Sequence, residues 1–451
     1  MPQVTPELFQ SECPPVRPMG VECEYHVETG DDTSSVSRYI SAKAISKAGI
    51  LRIGQYLEDG SRLYPDVDHA EYATRESMGP YAAADQDLNG IEVLKRVIEA
   101  SELPHKGVYR VSGTTLSNAT YKKEGYTNGV HENSMFPGSL AGDRVMQGLL
   151  MGYLASRHWA MSGNVFQQQY EFSQKISGIG GPAIATSLER ATSEGHKPMI
   201  AILRGNYDTM HSGDWARGET RFADPGISRE ARRIVLASHS LIYRLGEQQQ
   251  RLQAKQKDLD LRDGIFAHPL TVAKRVMGGI SLHETFATIS GKQFTSLDMQ
   301  EFYATQALKL AEITSLPPDE IDGAQKWLQT INAWRHSNPK EVQYDKYLID
   351  TYDVVAKHVA LHRSDSFRDD SIAKGRSLLW DRVIPEGLGM KYWGKVGHSF
   401  DQFSDAPIAA SAEARINFIR EHNDTALSVN WLYGTRSDGS TERFPLPWGA
   451  S

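Results

Sequence analysis

An α+β fold is what this 451-residue sequence predicts. Three observations carry the expectation. Short alternating segments that suit strands fill the first half of the chain. Long amphipathic segments that suit helices dominate from about residue 228 onward. Strands come first and helices dominate later, which argues against a doubly wound sheet, and neither a Gly-x4-Gly-Lys-Ser/Thr loop nor a strand-borne Gly-x-Gly-x-x-Gly occurs.

The elements follow in chain order. Residues 1–18 are proline-rich and aperiodic, and are expected to form an extended arm. Val21–Val27 alternates apolar and polar residues, which predicts a strand. Arg38–Ala48 reads as a helix, and Leu63–Thr74 as a strand that runs into a turn. Asp85–Ala100 places Leu88, Ile91, Leu94 and Ile98 on one helical face. Val108–Thr115 reads as a strand, with a polar loop to about Gly129. Met146–Tyr153 suggests a helix, Ser177–Pro182 a glycine-rich loop, and Pro198–Leu203 a short buried strand. Ser228–Leu245, Ser296–Ile313 and Gln325–Trp334 read as helices, with Pro317 and Pro318 as punctuation. Beyond about residue 375 the texture turns to short elements rich in Gly, Trp and Asp. The expected division is an arm over 1–18, a catalytic domain over 19–375 and a small domain over 376–451.

Composition narrows the function. With 40% hydrophobic and 23% charged residues, the chain reads as an ordinary globular protein. No run approaches the ~18 apolar residues of a membrane span. The start lacks the basic and apolar regions of a secretory signal. The net charge of -7 speaks against general nucleic-acid binding. Two cysteines, Cys13 and Cys23, cannot build a disulfide framework, so a reducing cytoplasm is expected.

Four motifs could carry chemistry. In Gly20-Val21-Glu22-Cys23-Glu24 the two glutamates share one face of a strand. Like charges that close call for a cation, and magnesium, which takes hard oxygen ligands, is the natural one. The segment from Arg62 to Thr74 holds Tyr64, Asp66, Asp68, His69 and Glu71. Tyr64, Asp66 and Asp68 would share a face if the strand continues, and Pro65 favours a sheet edge or a strand end. Gly129-Val130-His131-Glu132-Asn133 sets a histidine beside a carboxylate, as a metal ligand or a cap. Arg217-Gly218-Glu219-Thr220-Arg221 alternates guanidinium and carboxylate, giving either a phosphoryl and metal site or a cross-strand ion pair. Arg204, at the end of an apolar strand, could reach a phosphate. Each motif alone suits an ordinary polar surface. Together they describe a carboxylate-lined nucleotide site.

Taken in order, these motifs resemble the glutamine-synthetase-like carboxylate–amine ligases. Within them, the chain is similar to the Pup ligase and Pup deamidase/depupylase family. The segments that carry this are GVECEY (20–25), GSRLYPDVDHAEYAT (60–74), GVHEN (129–133), SGKQFTSLDMQEFY (290–303) and LSVNW (427–431). The resemblance implies a curved antiparallel sheet cradle packed against helices. It implies ATP and Mg2+ as cofactors, and Pup or a Pup-like peptide with a lysine-bearing target as partners. It implies that Glu22, Glu24, Glu71, His131 and Glu219 surround metal, with Tyr64 beside them. Arg204, Arg217, Arg221 and Arg415 would serve the nucleotide, and Asp66 would be catalytic.

The chain departs from the family pattern in several places. Glu219 stands where the family usually has histidine, and Ala70 where it has proline. SNAT (117–120) replaces an asparagine-rich loop, and Glu413 stands where an arginine is expected, which leaves Arg415 alone. The direction of reaction receives two opposed signals. Only 36 residues separate Val27 from Tyr64, so the long loop of the deamidases is missing, which favours a ligase. The Asp66-to-Glu71 spacing matches the hydrolases instead. The first expectation is a ligase that joins a glutamate side chain to a lysine amine through an acyl phosphate. The alternatives are a hydrolase of that bond and an amide ligase for another peptide or small molecule.

Overall fold

The computed structural model describes residues 16–28, 39–66, 69–102, 104–105, 107–110, 129–166, 169–173, 184–185, 198–203, 215–256, 258–279, 282–363, 370–397, 408–423, 426–431 and 433–445. Its centre is a 12-stranded sheet. The strands are β1 (Pro18–Glu28), β2 (Arg52–Ile53), β3 (Tyr56–Leu57), β4 (Arg62–Asp66), β5 (His69–Ala73), β6 (Ser77–Met78), β7 (Gly107–Tyr109), β8 (Val130–Pro137), β9 (Ile184–Ala185), β10 (Ile200–Leu203), β11 (Trp215–Ala223) and β12 (Arg382–Ile384). The main path runs β9-β10-β11-β8-β1-β5-β4-β3-β2, antiparallel except for β9 with β10. β6 and β7 also pair β1, and β12 pairs β7. Helices dominate the second half, so the α+β expectation holds.

β1 is central because both of its faces are useful. Val21, Cys23 and Tyr25 are buried in a core shared with Leu88, Ile91 and Leu94 of helix α1 (Pro80–Ser101). The alternate positions, Glu22 and Glu24, are left for the opposite face. A second core joins α2 (Arg144–Ser156), α3 (Arg229–Glu247), α4 (Ser296–Ile313) and α5 (Pro318–Arg335). Ser228 caps α3 by accepting from the Ala231 N–H, and Thr295 with Asp298 forms a capping box on α4. Among the described residues, no helix is long and apolar enough to cross a membrane.

Several boundaries differ from the sequence reading. Of the helix expected over Arg38–Ala48, Ala42–Lys47 forms one helix, capped at its start by Ser41 and followed by Gly49, which at φ 69° leaves the helical region; Tyr39 is also helical, and Arg38 lies outside the described residues. α5 begins at Pro318 and not near Gln325, since proline at a first helical position loses no hydrogen bond. The strand expected over Val108–Thr115 is β7, which ends at Tyr109, and residues 111–128 lie outside the described residues. The Ser177–Pro182 loop lies outside them as well.

The division expected at 375 falls inside helix α7 (Asp370–Asp381), which follows α6 (Asp353–Arg363). Trp380, Ile384 of β12 and Trp393 of helix α8 (Leu388–Lys395) are buried in the β1 core. A separate small core comes later. It joins Phe418 and Ile419 of helix α9 (Ala410–His422) with Val429 and Phe444, and with Ile53 and Tyr56 from the sheet edge. A three-stranded sheet of β13 (Ala426–Val429), β14 (Tyr433–Arg436) and β15 (Thr441–Arg443) completes this module. At the other end, Arg17 of the expected arm is buried and bidentate to Glu247, while residues 1–15 lie outside the described residues.

Candidate active site

β11, β8, β1, β5 and β4 lie side by side, and their alternation gathers one set of polar residues on one face. Glu24 sits opposite Glu71, which sits opposite Tyr64, a row across three strands. Glu22 sits opposite His131. Two clusters result. One ligand atom each from Glu22, His131 and Glu219 lies within 4.8 Å of the other two, and Glu24, Asp66 and Glu71 meet the same limit. His131 Nδ1 is 3.0 Å from Glu22 and 3.9 Å from Glu219. The Gly129 N–H donates to Glu24 at 2.6 Å and fixes that carboxylate.

The two clusters differ electrically. Burial works to raise the Glu219 carboxyl, but Arg217 and Arg221, then His131, outweigh it and hold it at about 2. Arg217 donates to Glu219 at 2.8 Å and reaches Glu22 at 3.5 Å, and Arg221 donates to Glu219 at 2.5 Å. In the second cluster, burial and then the charges of Glu22 and Glu24 push Glu71 well above the usual carboxylate range. Burial, then Glu22 and Glu71, likewise push Tyr64 up, so its phenol stays protonated and hydrogen-bonds Glu71. A hard divalent cation would turn the repulsion at Glu71 into attraction, and the oxygen-rich donor set suits magnesium.

Not every expected residue arrives here. The strand carrying Tyr64 and Asp66 is described as far as Asp66, which pairs with His69 of β5. Asp68 and Arg204 lie outside the described residues. Asp66 is exposed at the end of β4, within reach of the second cluster. Pro65, whose ring offers no N–H, pairs only with Ala70 of β5, beyond the single Tyr56–Arg62 pairing of short β3. Arg415, expected at the nucleotide, is fully buried and cannot touch a ligand in this arrangement. Its guanidinium is used by Glu76 and by the Gly60 and Trp431 carbonyls.

One feature escaped the sequence reading. A cavity runs from Glu22 and Arg217 along Gly20 to Glu76, Asn133 and Trp431. Among the described residues, the buried Asn133 Oδ1 has no partner. Asn133 and Trp431 close two of the quoted segments, GVHEN and LSVNW, but neither carries a charge that would single it out.

Comparison with known proteins matches residues 21–434 to the family described as Pup-ligase protein. The Pup--protein ligase of Acidimicrobium ferrooxidans is 25% identical, over 72% of this chain and 69% of that protein. The Pup--protein ligase of Bifidobacterium animalis subsp. lactis is 25% identical, over 92% and 86%. The Pup deamidase/depupylase of Mycobacterium tuberculosis is 22% identical, over 61% and 52%. Among solved structures, the complex between prokaryotic ubiquitin-like protein Pup and its ligase PafA superposes with a TM-score of 0.77 at 17% identity, covering 98% of this chain and 91% of that one. PafA in complex with ADP superposes with a TM-score of 0.68 at 16% identity, covering 88% and 86%.

Proposed function

We propose, from the premise that this chain belongs to the Pup-ligase family, that it is an ATP- and magnesium-dependent ligase. It joins a glutamate side-chain carboxylate of Pup, or of a Pup-like peptide, to a lysine amine. The observation that carries this is the pair of three-ligand clusters set beside Arg217 and Arg221 on one sheet face. The family makes the chain an enzyme of the Pup-type ligase or related hydrolase kind.

In this reading Glu22, His131 and Glu219 would hold one magnesium ion, and Glu24 and Glu71, with Tyr64 beside them, would hold another. The metal would supply charge neutralisation at the ATP phosphates. Arg217 and Arg221 offset charge that develops on the transferred phosphoryl group, and Arg204 is a candidate for the same task. The cavity along Gly20 takes the nucleoside. The peptide carboxylate attacks the γ-phosphorus, giving an acyl phosphate and ADP. The lysine amine then attacks the acyl carbon, and phosphate leaves. A free lysine has a pKa near 10.4, so the amine must lose a proton to react. Asp66, exposed at the end of β4, accepts it. The catalytic unit in this reading extends through 397, and the small domain spans 408–445. A second reading, hydrolysis of the isopeptide bond, is favoured by the Asp66-to-Glu71 spacing.

The test is mass spectrometry. The enzyme is incubated with Mg-ATP and Pup plus a lysine-bearing protein, and separately with a preformed conjugate. A ligase forms conjugate and ADP in proportion, whereas cleavage without net ATP use would establish the hydrolase. Failure to bind nucleotide sinks both. Asp66→Asn should lower turnover by about 10²–10⁴-fold and keep ADP affinity. Lost ADP affinity would make Asp66 a metal ligand.

A further inference from the structure

Arg415 is misplaced for a ligand contact, yet its surroundings point at the cavity. It belongs to α9, in the small C-terminal module, and it is fully buried. Its guanidinium lies 4.5 Å from the Trp431 ring centroid and 5.2 Å from that of Tyr56. Those two rings meet edge to face at 4.9 Å. Its nitrogens donate to the Trp431 carbonyl at 3.4 Å, to the Gly60 carbonyl at 3.3 Å and to the Glu76 carboxylate. Gly60 turns at φ +79°, where a Cβ would lie 3.1 Å from Ile416, so the sheet-edge turn and α9 are in close contact. Trp431 and Glu76 both line the cavity that begins at Glu22 and Arg217. One buried cation therefore holds two walls of the cavity from behind.

We infer that Arg415 is a positioning residue that sets the Trp431 ring for the base of the nucleotide. This rests on the reading that the cavity takes a nucleoside. A planar base needs a rigid aromatic wall, and an indole free to turn loses part of its stacking energy on being ordered. Arginine suits the task because its flat guanidinium stacks on the ring while its fork bonds a carboxylate and a carbonyl together. Lysine can keep the charge but not the fork. Arg415→Met would release Trp431.

The experiment compares two probes, Mg-ADP and Mg-tripolyphosphate, by calorimetry. Both reach the phosphate and metal groups, but only ADP carries a base. Arg415→Met and Trp431→Ala should each weaken ADP about tenfold and leave tripolyphosphate within about twofold, while Arg415→Lys should recover part of the loss. The double variant should bind ADP no more weakly than Trp431→Ala alone, because Arg415 acts through Trp431. Equal weakening of both probes would mean a general loss of structure and overturn the inference, as would additive losses in the double variant. Arg415→Lys, which keeps the charge, decides the matter by the same two probes if Arg415→Met does not fold. If the unaltered protein binds tripolyphosphate but not ADP, the nucleoside reading of the cavity fails. If it binds neither, the proposed function fails instead.

Discussion

The two faces of the central sheet carry the same residue types under opposite rules. Along β8, His131 and Glu132 are neighbours in sequence but point to different faces. On the inner face, Glu132 is fully buried against Arg157 at 2.7 Å and Arg232 at 3.4 Å. Asp87 of α1 is also fully buried, and it receives Arg110 at 2.6 Å and Arg232 at 2.9 Å. Burial tends to raise the Glu132 carboxyl, yet Arg157 leads the groups that hold it at about 2. Glu132 and Asp87 are thus each matched by two buried arginines. On the outer face, Glu71 is pushed up by burial and by Glu22 and Glu24. The inner charges hold the strands together. The outer ones gather into two three-ligand clusters on one face.

The contrast can be broken most severely on the inner face. Arg157→Met should lower the unfolding free energy by about 3 kcal/mol or more, read by urea denaturation, because it uncovers a buried carboxylate. The outer face should respond to ligand instead. Mg-ADP at a hundred times its dissociation constant should raise stability by about 2.7 kcal/mol, with magnesium removal by chelation reversing the gain. A flat thermal midpoint across that titration would remove the metal-nucleotide reading.

Acid should attack the inner face as well. Burial lowers His158 and His239 from 6.5 to about 3. The unfolded chain therefore binds protons between these values that the folded chain refuses. This stability is complete above pH 6.5 and is lost as pH falls toward 3, by at most about 1.4 kcal/mol per pH unit for each histidine. Glu132 adds to the loss between 4.5 and about 2. Denaturation midpoints measured from pH 7 to pH 4 should fall steadily; a constant midpoint would contradict the burial of these imidazoles. The smallest effect belongs to Glu71→Gln. It removes a crowded charge, so without metal the protein should be unchanged or more stable by under about 1 kcal/mol. The stabilisation by Mg-ADP should shrink markedly.

Strands and helices with a clear period were legible in the sequence because pattern reports burial directly. β1, α1, α3 and α4 lie close to where alternation or 3.6-residue spacing sets them. The carboxylates Glu22, Glu24, Glu71 and Glu219 were legible for the same reason, since each sits at an alternate position of a strand. Element ends were less so. A single cap at Ser41, or a proline at the start of α5, moved a boundary that periodicity could not fix. The change of composition at 375 carries no record of long-range packing, such as the pairing of β12 with β7 or the entry of Trp393 into the β1 core.

By itself, then, the sequence determined the α+β class, the strand alternation and the alternate placement of the carboxylates along β1 and β11, because these depend on neighbours in the chain. Only the tertiary structure decided which carboxylates meet. Strand register set Glu24 against Glu71 and Glu71 against Tyr64. It also decided the fate of the arginines. Arg217 and Arg221 reach the site, while Arg415 lies behind its wall, a difference of packing between distant segments that no local pattern records.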